Sequence, residues 1–241
     1  MHRYHRRVDD LPWAAMYGMG RRISLDDFRR SCVSLPPPGL HEVHGVVSRA
    51  PRRAALLVVA VDVGGEAGLI LTKRASTVPN HRGDWVFPGG RVDPELDASS
   101  AEAALREAEE EIGIPRGRIE LIGQLSSHGP IITGFVIDVF VGVVESAFTL
   151  APDPNEVEEI AILPLSHLMA PERYSEGGSP PPDHDPGPVG SAVRLTRDDE
   201  AAPAYGGLRW FAIRDGEDIW GTQGQIVFDL LVHLADTVPV S

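Results

Sequence analysis

The first strong pattern along the chain is an almost unbroken apolar run over residues 54–63. A run of that length, closed by turn residues, predicts a strand buried on both faces. Gly64-Gly65 predicts the turn, and residues 68–73 predict its hairpin partner. Residues 85–87 predict a short extended segment. Residues 119–125 and 133–144 are β-rich, and Phe135 to Val141 is nearly all apolar, as in a buried strand. Residues 160–163 predict a strand ending before Pro164, with a helix beginning near Ser166. Residues 207–213 predict one more strand. From 219 to 235, Ile226, Leu230, Leu231 and Leu234 recur at helical spacing.

One helix is marked at both ends. Ser99 and Glu102 have the spacing of a capping box. Gly113 stands where a left-handed residue closes a helix. Between them Ala101, Ala104, Leu105, Ala108 and Ile112 form an apolar stripe, so the spacing predicts a helix over about 99–112. A shorter helix is expected around 25–32, after a cap at Ser24. Residues 1–50, rich in Arg and His, read as an N-terminal extension, either packed on the domain or mobile, with Trp13 as its candidate anchor. Residues 51–241 read as one domain. Within it, residues 171–204 are dense in Pro, Gly and Asp and predict a long surface loop or disordered insertion. Mixed strands with a few helices give an α+β class.

Charge and cysteine usage narrow the function. A net charge of −13 argues against nonspecific binding to nucleic acid. Cys32 is the single cysteine, so no intrachain disulfide forms. No apolar stretch is long enough to span a bilayer, and none follows the basic start as in a secretory signal. A soluble cytoplasmic protein, without a membrane partner, is the expectation. The sequence leaves monomer and homodimer equally open.

The candidate chemistry lies on the marked helix. Glu107, Glu110 and Glu111 have i, i+3, i+4 spacing and share one face. Three like charges there repel and weaken the helix. A hard divalent cation, Mg²⁺ or Mn²⁺, removes that repulsion. Acidic runs on helices are most often wet faces. The context shifts the balance: an extended segment leads into Pro88-Gly89-Gly90, where two glycines allow close backbone approach to a ligand. Glu109 points elsewhere and reads as a solvated charge, while Arg106 is placed to pair with a neighbouring carboxylate. Lys73, Arg74, Arg82 and Arg91 are cations that could meet a polyanionic substrate. By strand alternation only one of Lys73 and Arg74 faces the site.

The stretch from Arg106 to Ile114, with Gly89-Gly90 before it, resembles the Nudix hydrolase box, G-x5-E-x7-R-E-U-x-E-E-x-G-U. The second half matches, with Ala108 small at the first U position. The first half departs. Ala98 stands where the box has Glu, and Gly90 to Arg106 is two residues longer than the pattern. The longer Asp-bearing loop is similar to the coenzyme A pyrophosphatase branch. So are Leu71-Thr72-Lys73-Arg74-Ala75, His81, Gly83, Phe87-Pro88-Gly89-Gly90 and, near the end, Ile219-Trp220-Gly221-Thr222. Val78-Pro79 and Asp84-Trp85-Val86 differ from that branch's usual residues.

The resemblance implies a Nudix-type α/β/α sandwich with a mixed β-sheet and Mg²⁺-dependent hydrolysis of a nucleoside-diphosphate-X substrate. Glu107 and Glu111 would be the chief metal ligands, and Glu110 a third ligand or base assistant. The Gly89 carbonyl would be a backbone ligand, with Gly90 beside the substrate. Arg106 would be an orienting residue. Asn155-Glu156-Val157-Glu158-Glu159 resembles the family's downstream loop, with Glu156 the favoured base and solvation the plain alternative. His81 would order the loop or touch phosphate, or is an ordinary surface histidine. Asp93, Glu95 and Asp97 could extend the metal site, though at least two of them read as solvated. Trp85 and Trp210 read as packing residues before base-stacking ones, and Trp220 as a core anchor. Coenzyme A or its thioesters, cut to 3′,5′-ADP and phosphopantetheine, is the leading substrate. ADP-ribose, dinucleotides or nucleoside triphosphates, and a catalytically idle nucleotide-binding module, are the alternatives.

Overall fold

The computed structural model describes residues 3–4, 7–37, 43–44, 52–78, 81–128, 135–145, 148–177 and 208–238. The apolar run forms β3 (Arg52–Asp62) after two short strands, β1 (Arg3–Tyr4) and β2 (Val43–His44). β4 (Ala67–Arg74) returns antiparallel. β5 (Trp85–Val86) and β6 (Gly89–Arg91) flank the glycine pair, and β7 (Glu120–His128), β8 (Phe135–Val144) and β9 (Val157–Pro164) follow. An eight-stranded mixed sheet has the order β2-β7-β8-β3-β4-β5, with β6 also paired to β3 and β9 to β4. β3 and β8 pair in parallel along their length. β4 leaves β3 after Leu69. Its place beside the first half of β3 is taken by β6, which sets Gly90 opposite Ala55. That splay puts the glycine loop inside the sheet rather than at its rim.

The burial of β3 follows its alternation. Ala55, Leu57, Val59 and Val61 face one core, and Leu56, Val58 and Ala60 face the other. A strand apolar at both parities therefore requires cover on both sides. On one side lies α3 (Ser100–Ile112), through Ala104, Leu105, Ala108 and Ile112. Ala103 is buried as well, and Ala101 is only half-buried. Both ends of α3 form as the sequence predicts: Ser99 Oγ accepts from the Glu102 N–H at 3.2 Å, and Gly113 has φ 74°. On the other side lie α1 (Ala14–Gly18), α2 (Leu25–Cys32), α4 (Leu165–Met169) and α5 (Gly221–Thr237). A second sheet, β1-β10-β11-β12, comprises β10 (Tyr174–Gly177), β11 (Arg209–Arg214) and β12 (Glu217–Trp220) besides β1. The result is the expected α+β sandwich.

Two details differ from the sequence reading, and one alternative left open there is decided. Residues 171–177, expected in the loop insertion, form a 3₁₀ turn and β10, because Tyr174 packs on Trp13 and Phe211; residues 178–204 lie outside the described set. The first fifty residues, where described, pack on the domain, with Trp13 as their anchor: it is fully buried, and its Nε1 donates to the Met169 carbonyl at 2.9 Å. Trp220 is not a core anchor but a half-buried ring stacked on Trp210. No described helix is long and apolar enough to cross a membrane.

Candidate active site

The site grows from the contact between the glycine loop and α3. Gly89 has φ 151°, and its N–H donates to Glu111 Oε2 at 3.1 Å. A Cβ there would stand 2.2 Å from the Ala55 carbonyl, so only glycine fits without moving the sheet. At Gly90 a Cβ would fall 2.4 Å from the Glu107 carboxylate. The glycine pair is thus the surface against which two of the three acidic side chains rest. Gly90→Ala should fold, since only a side-chain tip must yield. It should turn over about a hundredfold more slowly, because the displaced carboxylate is misplaced by about an ångström. Steady-state kcat, alongside circular dichroism to check folding, tests this.

The three carboxylates of α3 have different surroundings. Glu111 is 3% exposed. Burial pushes its pKa up to about 8, with the Glu107 and Glu156 charges adding and the Gly89 N–H and Arg74 opposing. Glu107 is also raised, by burial first, against the pull of Arg106. Glu110 is mostly exposed and pairs with Arg106 at 2.8 Å. Glu109 pairs with Arg116 away from the group, as expected.

Arg106 is held from several directions. Its Nε and Nη2 donate to the two oxygens of Asp97 at 2.8 and 3.0 Å, and its Nη1 reaches Glu107 at 3.0 Å. Asp97 is buried, and its carboxyl is held below the usual range, chiefly by the Arg106 hydrogen bond. It also accepts from the Asp93 N–H at 2.8 Å, and Asp93 in turn caps Glu95 N–H. Asp97 and Asp93 therefore order the loop, and Glu95 is exposed. Asp97, the neighbour of Ala98, is the carboxylate that meets Arg106 from this loop.

Glu156 comes near the group from the loop before β9. Its carbonyl accepts from Ala75 N–H at 2.8 Å, which ties the loop before β9 to the end of β4. Its charge acts on both Glu107 and Glu111. Glu158 and Glu159 belong to β9 and pair instead with Lys73 and Arg214. The choice between Lys73 and Arg74 falls as alternation requires. Arg74 acts on Glu111, whereas Lys73 Nζ lies 3.1 Å from Glu217 and 3.4 Å from Glu158, which raise its pKa. Lys73 is a clamp between sheets and is not brought to the carboxylates. His81, at φ 57°, bonds Asp84 at 3.1 Å and orders the turn before β5. Arg82 donates to the Val78 carbonyl in that same turn.

Three residues of this neighbourhood escape a sequence reading. Gln223 Oε1 accepts from the Phe87 N–H at 3.1 Å and braces the loop from α5. Glu217 holds both Lys73 and the Trp85 indole, so Trp85 is a packing residue. Asp138 is fully buried in β8 yet bonded to Arg53 and Ser127. The only signal for Asp138 is a lone acid inside an apolar run.

A divalent cation fits these groups by donor chemistry. The group offers only hard oxygens, and Glu111 is a buried acid whose like-charged neighbours favour a cation. Among the described residues, no three His, Cys, Asp or Glu side chains already stand gathered at metal-binding distance. On α3, Arg106 Nη1 lies 3.0 Å from Glu107 and 2.8 Å from Glu110.

The model of the NUDIX domain matches residues 51–181. A protein of Photorhabdus laumondii, described as uncharacterized Nudix hydrolase NudL, is 36% identical over 156 residues, covering 63% of this chain and 78% of that one. Its counterpart in Pectobacterium atrosepticum is 28% identical over 214 residues, covering 89% and 96%. A crystal structure of a Nudix hydrolase from M. smegmatis, RenU, has 21% identity, covers 48% of this chain and 73% of that one, and gives a TM-score of 0.40. By the domain match and the NudL relatives, the chain belongs to the Nudix family of hydrolases.

Proposed function

We propose that the protein hydrolyses the diphosphate linkage of a nucleoside-diphosphate-X compound with Mg²⁺, coenzyme A or its thioesters being the favoured substrate. The observation that carries the chemistry is the buried Glu111, braced by Gly89 N–H, with Glu107 and Glu156 beside it. Glu107 and Glu111 would hold the cation, with Glu110 or the Gly89 carbonyl completing its shell. Bound there, a divalent cation lowers the pKa of a water and neutralises phosphate oxygens. Glu156, the exposed member, is the candidate to take the water's proton. Arg74 is the candidate to meet a phosphate oxygen, and Arg106 holds Glu107 in place. Mn²⁺ would satisfy the same oxygen donors.

Coenzyme A is favoured by the motif from Leu71 to Gly90, together with Ile219–Thr222. Lys73 of the first segment meets Glu217 and the Phe87 N–H meets Gln223, the residues that flank Ile219–Thr222. Against the idle-module reading, Asp97 beside Ala98 gives Arg106 a carboxylate partner.

Coenzyme A and Mg²⁺ should yield 3′,5′-ADP and phosphopantetheine by chromatography. EDTA should abolish turnover and added Mg²⁺ restore it. Turnover that survives EDTA would refute the metal mechanism. Coenzyme A left intact while ADP-ribose or a dinucleotide is cut would move the substrate and keep the mechanism.

A further inference from the structure

Resting on the nucleoside-diphosphate reading above, we infer that Arg91 and Arg52, stacked on Phe135, form a subsite for a second anionic group of the substrate, separate from the scissile diphosphate. The Arg52 guanidinium carbon lies 4.3 Å from the Phe135 ring centroid, and that of Arg91 lies 5.3 Å from it. The three residues come from three strands. Arg52 pairs with Phe135 across β3 and β8, and Arg91 pairs with Ala54 across β6 and β3.

The placement links this platform to the active site. Arg91 follows Gly90 directly, and its carbonyl accepts from Arg106 Nη2 at 3.3 Å. Strand side chains alternate, so Arg91 points to the face opposite the Glu107 carboxylate. A nucleotide lying across the start of β3 would set its diphosphate at Glu107 and Glu111. Any further phosphate would then lie over the platform.

The charges favour an anion here. Arg53 is spent on the buried Asp138, at 2.7 Å, and Arg106 on Asp97, Glu107 and Glu110. Arg91 has no carboxylate partner among the described residues. Both guanidinium groups lie against one ring, so a phosphate at that ring would meet them together. A guanidinium stacked on an aromatic ring also keeps its N–H fork at the edge. There it can grip phosphate with two bonds at low entropic cost. The Arg53–Asp138 pair and the Ser127 hydroxyl, 2.7 Å from Asp138, fix the strand ends that carry the platform.

The ligand chemistry is a ribose phosphate outside the diphosphate, as on the 3′ position of coenzyme A. Calorimetric titration with 3′,5′-ADP and with 5′-AMP tests it on the full chain. The bisphosphate should bind at least tenfold tighter than the monophosphate. Arg91→Gln should bring the two affinities together by weakening only the bisphosphate, and Arg91→Lys should keep part of the difference. The ratio between two ligands on one preparation does not move with the folded fraction. Equal affinities in the parent would overturn the subsite, as would a preference that survives in Arg91→Gln/Arg52→Gln. A parent that prefers the bisphosphate but leaves coenzyme A uncut would keep the subsite and sink only the coenzyme A reading.

Discussion

Glu111→Gln is expected to stop hydrolysis almost completely, lowering kcat by about a thousandfold or more. If Glu111 holds the cation as proposed, its loss removes several kcal/mol of transition-state stabilisation, and about 4 kcal/mol corresponds to that factor. The same substitution should leave the metal-free protein no less stable. The Gly89 N–H keeps an acceptor, and a buried ionisable group disappears. The pH dependence follows from burial, which pushes Glu111 up to about 8 from 4.5. Below pH 4.5 both folded and unfolded states hold the proton. Between these values the folded state binds a proton that the unfolded state has released, so parent stability falls as pH rises through this window. Above pH 8 the full cost is present. Glutamine carries none of it. Denaturant unfolding in EDTA should therefore show the variant gaining on the parent from pH 5 to pH 9. A variant with parental kcat would remove Glu111 from the mechanism, and a pH-independent stability difference would remove the desolvation account.

Asp97→Ala is expected to cost about 3 kcal/mol of stability and about a hundredfold in kcat, with KM changed far less. Asp97 is buried, and the Arg106 guanidinium it anchors is largely so. Removing the acid leaves a cation without its main partner and frees the Asp93 N–H. Arg106 would then swing, and Glu107 would lose the contact that sets its rotamer. Asp97 is a positioning residue, so the test must separate this from simple unfolding. Kinetics well below the melting temperature, with folding checked by circular dichroism, should still show the drop in kcat. Parental kcat in a folded, destabilised variant would mean that Arg106 needs no anchor.

Much of the local architecture was legible. Both ends of α3 were marked by short-range chemistry, Ser99 at one end and Gly113 at the other, and such signals act within a few residues. The same holds for Ser24 at the start of α2, whose hydroxyl accepts from Asp27 N–H. The double-sided burial of β3 followed from its apolar run. The role of Asp97 was not legible. Its difference from the neighbouring Glu95, which is exposed, depends on how the loop folds back on Arg106. The buried acid of β8 was hidden for a similar reason, since its partners Arg53 and Ser127 lie on other strands.

Sequence alone determined the family box, the helix that carries it and the acidic character of the site, because each is written in residues close along the chain. Tertiary structure decided the rest. It divided three equivalent glutamates into a buried Glu111, a braced Glu107 and an exposed Glu110. It chose Arg74 over Lys73, brought Glu156 to α3, and built Trp13 into the core. Each of these outcomes depends on which distant residues share a low-dielectric space. Burial and the distance between charges arise only when the strands are laid side by side.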